Sequence, residues 1–462
     1  MEQKVTTHEG NPLGYQPVGK LLAQFAMPAI ISMLVNSIYN IVDQIFIGQG
    51  IGYLGNAATT IAFPVVTIVL ALSTLLGAGG SAYAAIKLGE KKEEQAEKTL
   101  GTVTVLTILS SIVLMIACFL FLDPMLRLFG ATDNTMVYAR QYTAVMLIGT
   151  PFNMISVVLS NMARTDGSPT LSMYAILVGA VINTILNPIY IFIFHWGVSG
   201  SAFATITSQF ISASFLTSYF VTRGKHMRFR KCYMKIDPQI FRSAFSLGMS
   251  SGITQIASTI LQIVLNNSLV FYGNHSEVGG DVALSAMGIV SKISMTLVSI
   301  CIGIGIGSQP ILGFNKGAGQ PKRVKRTFLL AAAASTSVSF VGWLACQIFP
   351  GPILSIFGTQ DAEFSYFAIR CLKVFMLGIF TAGFQVVVTS YFQSTGQPLK
   401  ASILSMLRQL LLLIPLVLIL PLHFGLDGIL YAGPLADILS AIIVSQFVIR
   451  EMKKLDKVCK EA

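Results

Sequence analysis

The chain has 462 residues, of which 53% are hydrophobic and 11% charged, and its formal net charge is +11. Soluble domains carry roughly 25% charged residues, so water is not the main solvent of this chain. Four stretches without Asp, Glu, Lys or Arg are each longer than the ~20 residues that cross a bilayer, at 167–222, 243–276, 327–360 and 374–399. The composition excludes a soluble globular domain and predicts a polytopic membrane protein.

Twelve helical spans are predicted when the apolar runs are divided at their glycine, proline and charged residues. They fall at 21–47, 57–86, 99–121, 136–161, 170–194, 199–222, 240–272, 283–313, 327–349, 364–391, 400–422 and 427–450. Six spans lie in each half of the chain. The predicted fold class is therefore an all-α polytopic membrane protein with twelve transmembrane helices.

The two halves of the chain are copies of one another. Residues 123–130 (DPMLRLFG) return at 351–358 (GPILSIFG), and residues 197–200 return at 425–428, both after a shift of 228 positions. Gly89 and Gly317 keep the same register. Because each copy has an even number of spans, both enter the membrane from the same side. We expect two six-helix lobes that are related by a pseudo-twofold axis along the membrane normal.

Basic residues mark one side of the predicted membrane. Of the 31 Lys and Arg residues, 26 fall in the two tails and in the loops on that side. By the positive-inside rule both termini are cytoplasmic. The basic stretch at 223–235 is interpreted as a loop that joins the two halves and not as a nucleic-acid-binding patch. The predicted division is a cytoplasmic tail at 1–20, a lobe at 21–222, a linker at 223–239, a second lobe at 240–450 and a cytoplasmic tail at 451–462. The first apolar run is too long for a cleaved signal peptide.

Asp43 is the most informative residue, because it lies in an otherwise apolar first span. An ionised carboxylate in a low-dielectric site must find a partner, bind a cation or take up a proton. Ser32, Asn36, Tyr39 and Asp43 are spaced at helical intervals, so they share one helix face. The alternative is that Asp43 ties its helix to a neighbour.

The fifth and sixth spans add neutral oxygen ligands. Asn183 and Asn187 lie one turn apart before Pro188, which cannot donate a backbone hydrogen bond and loosens the preceding carbonyls. Thr205 adds a hydroxyl in the next span. With Asp43, these groups could hold a proton network or a small cation such as Na⁺. Taken alone, intramembrane Asn and Thr also bond helices together.

The second half has a different set of polar residues. Gln255 and Gln262 belong to a polar stripe without a carboxylate, while Lys292, Arg408 and Asp437 are charges within predicted spans. Asp437 is either a second titratable site or the salt-bridge partner of Lys292 or Arg408. Together with Asn36 and Tyr39, these residues are candidates for a substrate cleft or a second site.

Enzyme motifs are missing from the sequence. It has no GxSxG, HExxH or GxxxxGK[ST] pattern, and its six cysteines show no CxxC spacing. We therefore expect no enzymatic activity, no ATP-driven transport, no disulfide framework, no cofactor and no metal site other than a possible Na⁺ site.

The chain resembles the multidrug and toxic compound extrusion (MATE) family over nearly its whole length. The resemblance is carried by residues 42–48, 183–188, 197–205, 309–317 and 394–398. It implies two six-helix lobes, an outward-open V shape, and efflux of organic cations and other drugs against inward flow of H⁺ or Na⁺. In related proteins the positions of Asp43, Asn183, Asn187 and Thr205 form the cation-responsive cluster.

Within the family, the chain is closer to the DinF-like branch and its MepA-type pumps than to the NorM-like branch. It lacks the acidic residues that the NorM-like branch has in helices seven and ten, and it has Asn187 where many DinF-like proteins have Asp. Asp43 is thus the one carboxylate of the cluster. We expect a monomeric antiporter of the bacterial inner membrane, in contact with lipids and carrying amphipathic, often cationic, drugs.

The residues leave three alternative functions to be considered beside drug antiport. A flippase for lipid-linked precursors needs a strongly cationic cleft, for which Lys292 and Arg408 are the candidates. A major-facilitator transporter shares the six-plus-six plan, but residues 87–92 lack its GxxxDRxGRR pattern. A membrane-embedded enzyme needs convergent catalytic groups at one membrane face, whereas the polar clusters here are separated and lie within the spans.

Overall fold

The computed structural model describes residues 11–51, 53–355 and 362–461, which form helices and turns without a β-strand among them. Residues 1–10 of the predicted amino-terminal tail lie outside the described residues, and so do residues 356–358 of the repeated motif. The all-α fold class that the sequence predicts is confirmed.

The first half contains six long helices, which are α1 (Val18–Ile51), α2 (Tyr53–Gly89), α3 (Glu93–Leu120), α4 (Asp133–Thr165), α5 (Pro169–Ile193) and α6 (Gly197–Thr222). The second half repeats them as α7 (Pro238–Asn274), α8 (Gly280–Gly317), α9 (Pro321–Ile348), α10 (Ala362–Phe375, continued by Met376–Thr381 and Ala382–Ser394), α11 (Pro398–Phe424) and α12 (Leu426–Glu461). A short helix precedes α4 at Leu122–Leu128 and α10 at Pro350–Ser355. The described chain therefore keeps the duplicated plan.

Eleven of these twelve helices in the described part of the chain are long and apolar enough to cross a membrane, and α6 is the exception. Ten of its 26 residues are Ser or Thr and none is charged. It packs between α4 and α5, and its hydroxyl groups bond to neighbouring backbone, as Ser212 Oγ does to the Ala175 carbonyl at 2.8 Å. The low hydropathy of α6 thus reflects its many hydroxyl groups, some of which bond to protein backbone.

Proline and glycine set the ends of the helices. Four of the twelve long helices begin with proline, at Pro169, Pro238, Pro321 and Pro398, where the missing N–H would have had no helical partner. Pro188 is followed by a π-helical turn, Ile189–Ile193. A second π-helical segment, Leu407–Leu413, widens α11. Both irregular segments lie within apolar spans, where π-bulges are often functional.

The last helix extends further than the sequence predicts. α12 continues to Glu461 instead of ending at 450, because charged residues end the apolar span without ending the helix. Lys325 pairs with Asp456, and Lys400 pairs with Glu451 at 2.9 Å. The predicted carboxy-terminal tail at 451–462 is therefore mostly helical and is held against α9 and α11.

The packing of apolar side chains gives the molecule a V shape. One core joins both halves on the side of the chain ends, with Phe25 and Leu100 from the first half and Phe328 from the second. On the opposite side each half has a core of its own, one including Tyr142 and the other Met376. The lobes therefore meet on one side and separate toward the other, which leaves a cleft between them.

Gly89 and Gly317 lie where the lobes meet, at the ends of α2 and α8. A Cβ atom on Gly89 would lie 2.0 Å from the Phe314 carbonyl oxygen, and one on Gly317 would lie 2.0 Å from the Ile86 carbonyl oxygen. These two contacts are equivalent under the shift of 228 positions. Only residues without a side chain permit the helices to approach this closely.

Candidate functional site

Asp43 is the centre of a polar cluster inside the first lobe. It lies on α1 and is half-buried. Its Oδ1 atom accepts hydrogen bonds from Asn187 Nδ2 on α5 and from Ser201 Oγ, at 2.8 Å, on α6. Both donors belong to fully buried residues. One carboxylate oxygen therefore joins three helices.

Asn183 and Thr205 extend the cluster by one turn. Asn183 Nδ2 donates to Thr205 Oγ1 at 3.1 Å, and both residues are buried. The Tyr39 hydroxyl on α1 also bonds to the Thr205 side chain. Tyr142 on α4 is buried and lies close enough to Asp43 and Tyr39 to interact with them electrostatically. The structure thus brings together Asp43, Asn183, Asn187 and Thr205. It places Tyr39, which the sequence puts on the same face of α1 as Asp43, beside them and adds Tyr142.

Asn187 has a side-chain oxygen that no group in the described part of the chain satisfies. Its Oδ1 atom is buried and accepts no hydrogen bond from these residues, while its Nδ2 atom donates to Asp43. A buried carbonyl oxygen without a donor is costly. Beside a carboxylate and several hydroxyl groups, it is the kind of ligand that a hard cation or a hydrated proton would use. The π-helical turn that follows Pro188 lies directly after this residue.

Ser201, like Tyr142, is a member of the cluster that the sequence did not predict. It lies four residues before Thr205 and therefore on the same face of α6. That spacing was the available signal, but ten hydroxyl residues in α6 gave no reason to prefer this one. Its contact with Asp43 depends on how α1 packs against α6.

The predicted shared face of α1 is divided between different surroundings. Ser32 is fully buried and its hydroxyl donates to the Pro28 carbonyl at 2.8 Å, whereas Asn36 is exposed. Tyr39 and Asp43 are half-buried and point into the lobe. This face of α1 therefore extends from the contact between the lobes to the polar cluster around Asp43.

In the second lobe Arg408 and Asp437 form an ion pair. Arg408 Nε donates to Asp437 Oδ1 at 2.5 Å, and the Asp437 side chain is 3% exposed while that of Arg408 is 25% exposed. Lys292 is exposed and joins no ion pair with the described residues. Of the alternatives for Asp437, the structure shows the salt bridge to Arg408.

The polar stripe of α7 is not part of either cluster. Gln262 is exposed and donates to Asn266 Oδ1 at 2.8 Å, and Gln255 is half-buried. Ser258 exchanges hydrogen bonds with Gln409 on α11 at 3.1–3.2 Å. Within the described residues, no hydrogen bond connects these groups to Asp43. The stripe therefore belongs to the second lobe.

No group of three or more His, Cys, Asp or Glu residues in the described part of the chain could hold a metal ion. The cluster at Asp43 instead contains one carboxylate surrounded by amide and hydroxyl groups. Twelve long helices in the described part of the chain, two lobes that separate on one side, and a charge held inside one lobe are the architecture of a membrane transporter.

Comparisons with known proteins identify the family. A sequence profile of the MatE family matches residues 28–189 and 253–419. "Multidrug export protein MepA" of Staphylococcus haemolyticus is 26% identical over 439 residues, which cover 94% of each chain. The same protein of Staphylococcus aureus (strain MRSA252) is 27% identical over 428 residues, 92% of each chain. This chain therefore belongs to the MATE family, whose members are membrane transporters and not enzymes.

Solved structures agree with this family and with its two-lobed fold. The MATE multidrug transporter DinF-BH, solved in complex with a ligand, superposes with a TM-score of 0.88 at 32% identity, over 97% of this chain and 98% of that one. An outward-facing MATE family transporter gives a TM-score of 0.90 at 22% identity, over 97% and 99% of the two chains. The resemblance seen in the sequence, including that to the DinF-like branch, is confirmed.

Proposed function

We propose that this protein is a cation-coupled antiporter that exports amphipathic, often cationic, drugs by alternating access. The observation that carries the proposal is the position of Asp43, a single carboxylate that bonds to α5 and α6 inside a lobe bordering an open cleft. The relatives of this chain include proteins named for multidrug export and a multidrug transporter solved with a ligand bound.

The coupling follows from the two states of the carboxylate. When Asp43 is ionised, it accepts hydrogen bonds from Asn187 and Ser201, and these hold α1 against α5 and α6. A proton or Na⁺ at Asp43 neutralises the charge and weakens those bonds. Because coupling between two ligands is reciprocal, a drug that favours the ionised form also weakens the binding of the cation.

The driving force is sufficient for export. Each unit of pH difference supplies ~1.4 kcal/mol, and each 100 mV supplies ~2.3 kcal/mol per charge moved. Together they support roughly hundredfold or greater accumulation. The sequence and the structure leave both H⁺ and Na⁺ as candidate coupling ions.

The surfaces beyond the meeting point of the lobes suit amphipathic substrates. The second half of α1 exposes Ile38, Ile41 and Ile45, and that of α7 exposes Ile256 and Ile263. Asn36 and Gln262 are exposed on the same two helices, where polar side chains favour a water-filled cleft over lipid. Apolar walls with a few polar groups bind many organic molecules.

The orientation follows from the basic loops. The chain ends, the linker after α6 and the turn between α8 and α9 lie on the side where the lobes meet, and these segments carry most of the Lys and Arg residues. By the positive-inside rule this side faces the cytoplasm of a bacterial plasma membrane. The cleft then opens outward.

Drug export is favoured over transport of lipid-linked precursors. A cleft that holds pyrophosphate needs unpaired cations, and Arg408 is already neutralised by Asp437. Lys292 is then the remaining candidate of the two.

The test uses purified protein in lipid vesicles that are loaded with an ethidium-type dye. A pH gradient and a Na⁺ gradient are imposed separately, each acid or Na⁺-rich outside. The proposal expects one gradient to drive the dye out, and an ionophore that dissipates that gradient should stop it. Dye efflux that is the same with and without both gradients would contradict the proposal, and movement of a pyrophosphate lipid without dye efflux would favour the flippase.

A further inference from the structure

The segment before α1 crosses from one lobe to the other. Residues 11–17, here called the strap, contain a 3-10 turn at Pro12–Gly14 that is closed by a hydrogen bond from Leu13 N to Asn11 Oδ1 at 3.1 Å. The strap leads directly into α1 of the first lobe. Leu13 is only 2% exposed and belongs to the core that joins the two halves.

The strap is held by side chains of the second lobe. Arg323, at the start of α9, donates through Nη2 to the carbonyl oxygens of Leu13 at 3.0 Å and Gln16 at 2.7 Å. Asn315, near the end of α8, donates to the Leu13 carbonyl at 3.1 Å and accepts from Arg323 Nε at 2.9 Å. One guanidinium therefore fixes two points of a segment that belongs to the other lobe.

The linker between the lobes is attached differently. Arg230 pairs with Glu97 at 2.8 Å, and the Lys235 carbonyl accepts from Thr102 at 2.8 Å, so the linker docks on α3 of the lobe it leaves. The carboxy-terminal part of α12 likewise docks on α9 of its own lobe, through the ion pair of Asp456 with Lys325. Residue 325 is the repeat equivalent of residue 97. The side chain that holds the strap has no repeat equivalent, because Gln95 stands at the repeat position of Arg323.

Opening the side that carries the strap requires α1 to leave α8. The two helices are in close contact there, since a Cβ on Gly303 would lie 2.7 Å from Ile30 Cα and one on Gly307 would lie 2.5 Å from Ala26 Cα. The strap is covalently continuous with α1, so it moves with α1 or breaks its bonds to Arg323. Hydrogen bonds from a guanidinium are stronger than neutral ones.

We propose that the strap is a latch that holds the lobes together on the side of the chain ends, with Arg323 as the residue that fastens it. Release of the strap precedes opening on that side. This inference concerns the balance between the two open states and is independent of the coupling ion.

The test measures the distance between the lobes directly. Spin labels are placed at Glu94→Cys and Lys322→Cys, which are exposed, repeat-equivalent positions at the starts of α3 and α9. The exposed Cys232 and half-exposed Cys459 are replaced by serine. Pulsed electron paramagnetic resonance then gives the distribution of distances between the two labels in nanodiscs. We expect Arg323→Ala to increase the long-distance population roughly tenfold relative to the parent protein.

Matched variants make the result specific. Arg326→Ala, on the same helix and exposed, should leave the distribution unchanged. Leu13→Ser removes the buried anchor without touching Arg323 and should act in the same direction as Arg323→Ala, which covers the case in which the arginine variant does not fold. Parent-like distances in Leu13→Ser, or in a folded Arg323→Ala protein, would overturn the proposal, because the strap would then follow the second lobe without restraining it.

Discussion

Asn183 and Asn187 lie one turn apart on α5 and bond to different helices. Asn183 donates to Thr205 on α6 at 3.1 Å, whereas Asn187 donates to Asp43 on α1. α5 is therefore the element that positions the carboxylate relative to the hydroxyl groups of the cluster. Under the proposed function, we expect a change of charge at Asp43 to alter its hydrogen bonds from Asn187 on α5 and from Ser201 on α6.

Asp43→Asn should abolish gradient-driven dye efflux while leaving the protein folded. The amide keeps the size of the side chain and removes the group that changes charge, so coupling is lost without a cavity. Vesicle efflux should fall to the level of protein-free vesicles, and thermal unfolding in detergent should report a folded protein. Asp133→Asn, at a side chain that is 99% exposed, is the control. Wild-type efflux from Asp43→Asn would remove this residue from the mechanism.

Ser201→Ala should impair coupling by an intermediate amount. It removes the 2.8 Å hydrogen bond to Asp43 and retains the bond from Asn187, and a hydrogen bond to a charged group contributes about 1.5–3 kcal/mol. We expect a roughly tenfold loss of gradient-driven efflux at unchanged protein level. Ser214→Ala, at an exposed position of the same helix, should behave as wild type. Equal efflux from the two variants would show that the Ser201 hydroxyl has no part in coupling.

The Arg408–Asp437 pair should respond unequally to loss of its two members. Arg408→Met leaves a carboxylate that is 3% exposed without its cation, and breaking a buried pair in this way costs about 3–5 kcal/mol. Asp437→Asn should cost less, because Arg408 is 25% exposed and can be hydrated. Thermal unfolding of both variants and of Arg408→Met/Asp437→Leu gives the comparison. The double variant should regain stability relative to Arg408→Met, and additive losses would contradict this account.

Asp166→Ala should free the start of the linker. The buried carboxylate accepts hydrogen bonds from the backbone N–H groups of Lys225, His226 and Met227, each at 2.8 Å, and from the Tyr219 hydroxyl at 2.7 Å. Without it, these donors lose their partner, at a cost on the order of 3 kcal/mol. Trypsin should then cleave the linker roughly ten times faster or more. Unchanged cleavage, matching an Asp133→Ala control, would contradict the assigned role.

The architecture was largely accessible from the sequence, because duplication and apolar runs are properties of the chain order itself. The shift of 228 positions and the uncharged stretches predict two six-helix lobes without reference to packing. The position of Asp43 in an apolar span likewise shows that it needs a partner. Which donors reach it is a matter of helix packing, and so Ser201 was not found.

Two other features depend on contacts between distant parts of the chain. The choice of Arg408 over Lys292 as the partner of Asp437 follows from the packing of α11 beside α12. Arg323 was counted from the sequence only as one of several basic loop residues. Its bonds join residues more than 300 positions apart, and nothing in the local sequence indicates them.

The contact between Gly89 and Gly317 bears on the origin of the protein. Gly89 contacts the backbone of α8, and Gly317 contacts the backbone of α2, at the same distance and at equivalent positions. This is the geometry of a self-complementary interface between identical subunits. A six-helix chain half as long could make this contact with a second copy of itself. The fused gene would then have inherited its junction from a homodimer, and the later divergence of the halves, with a carboxylate in one and an ion pair in the other, would have left that junction intact.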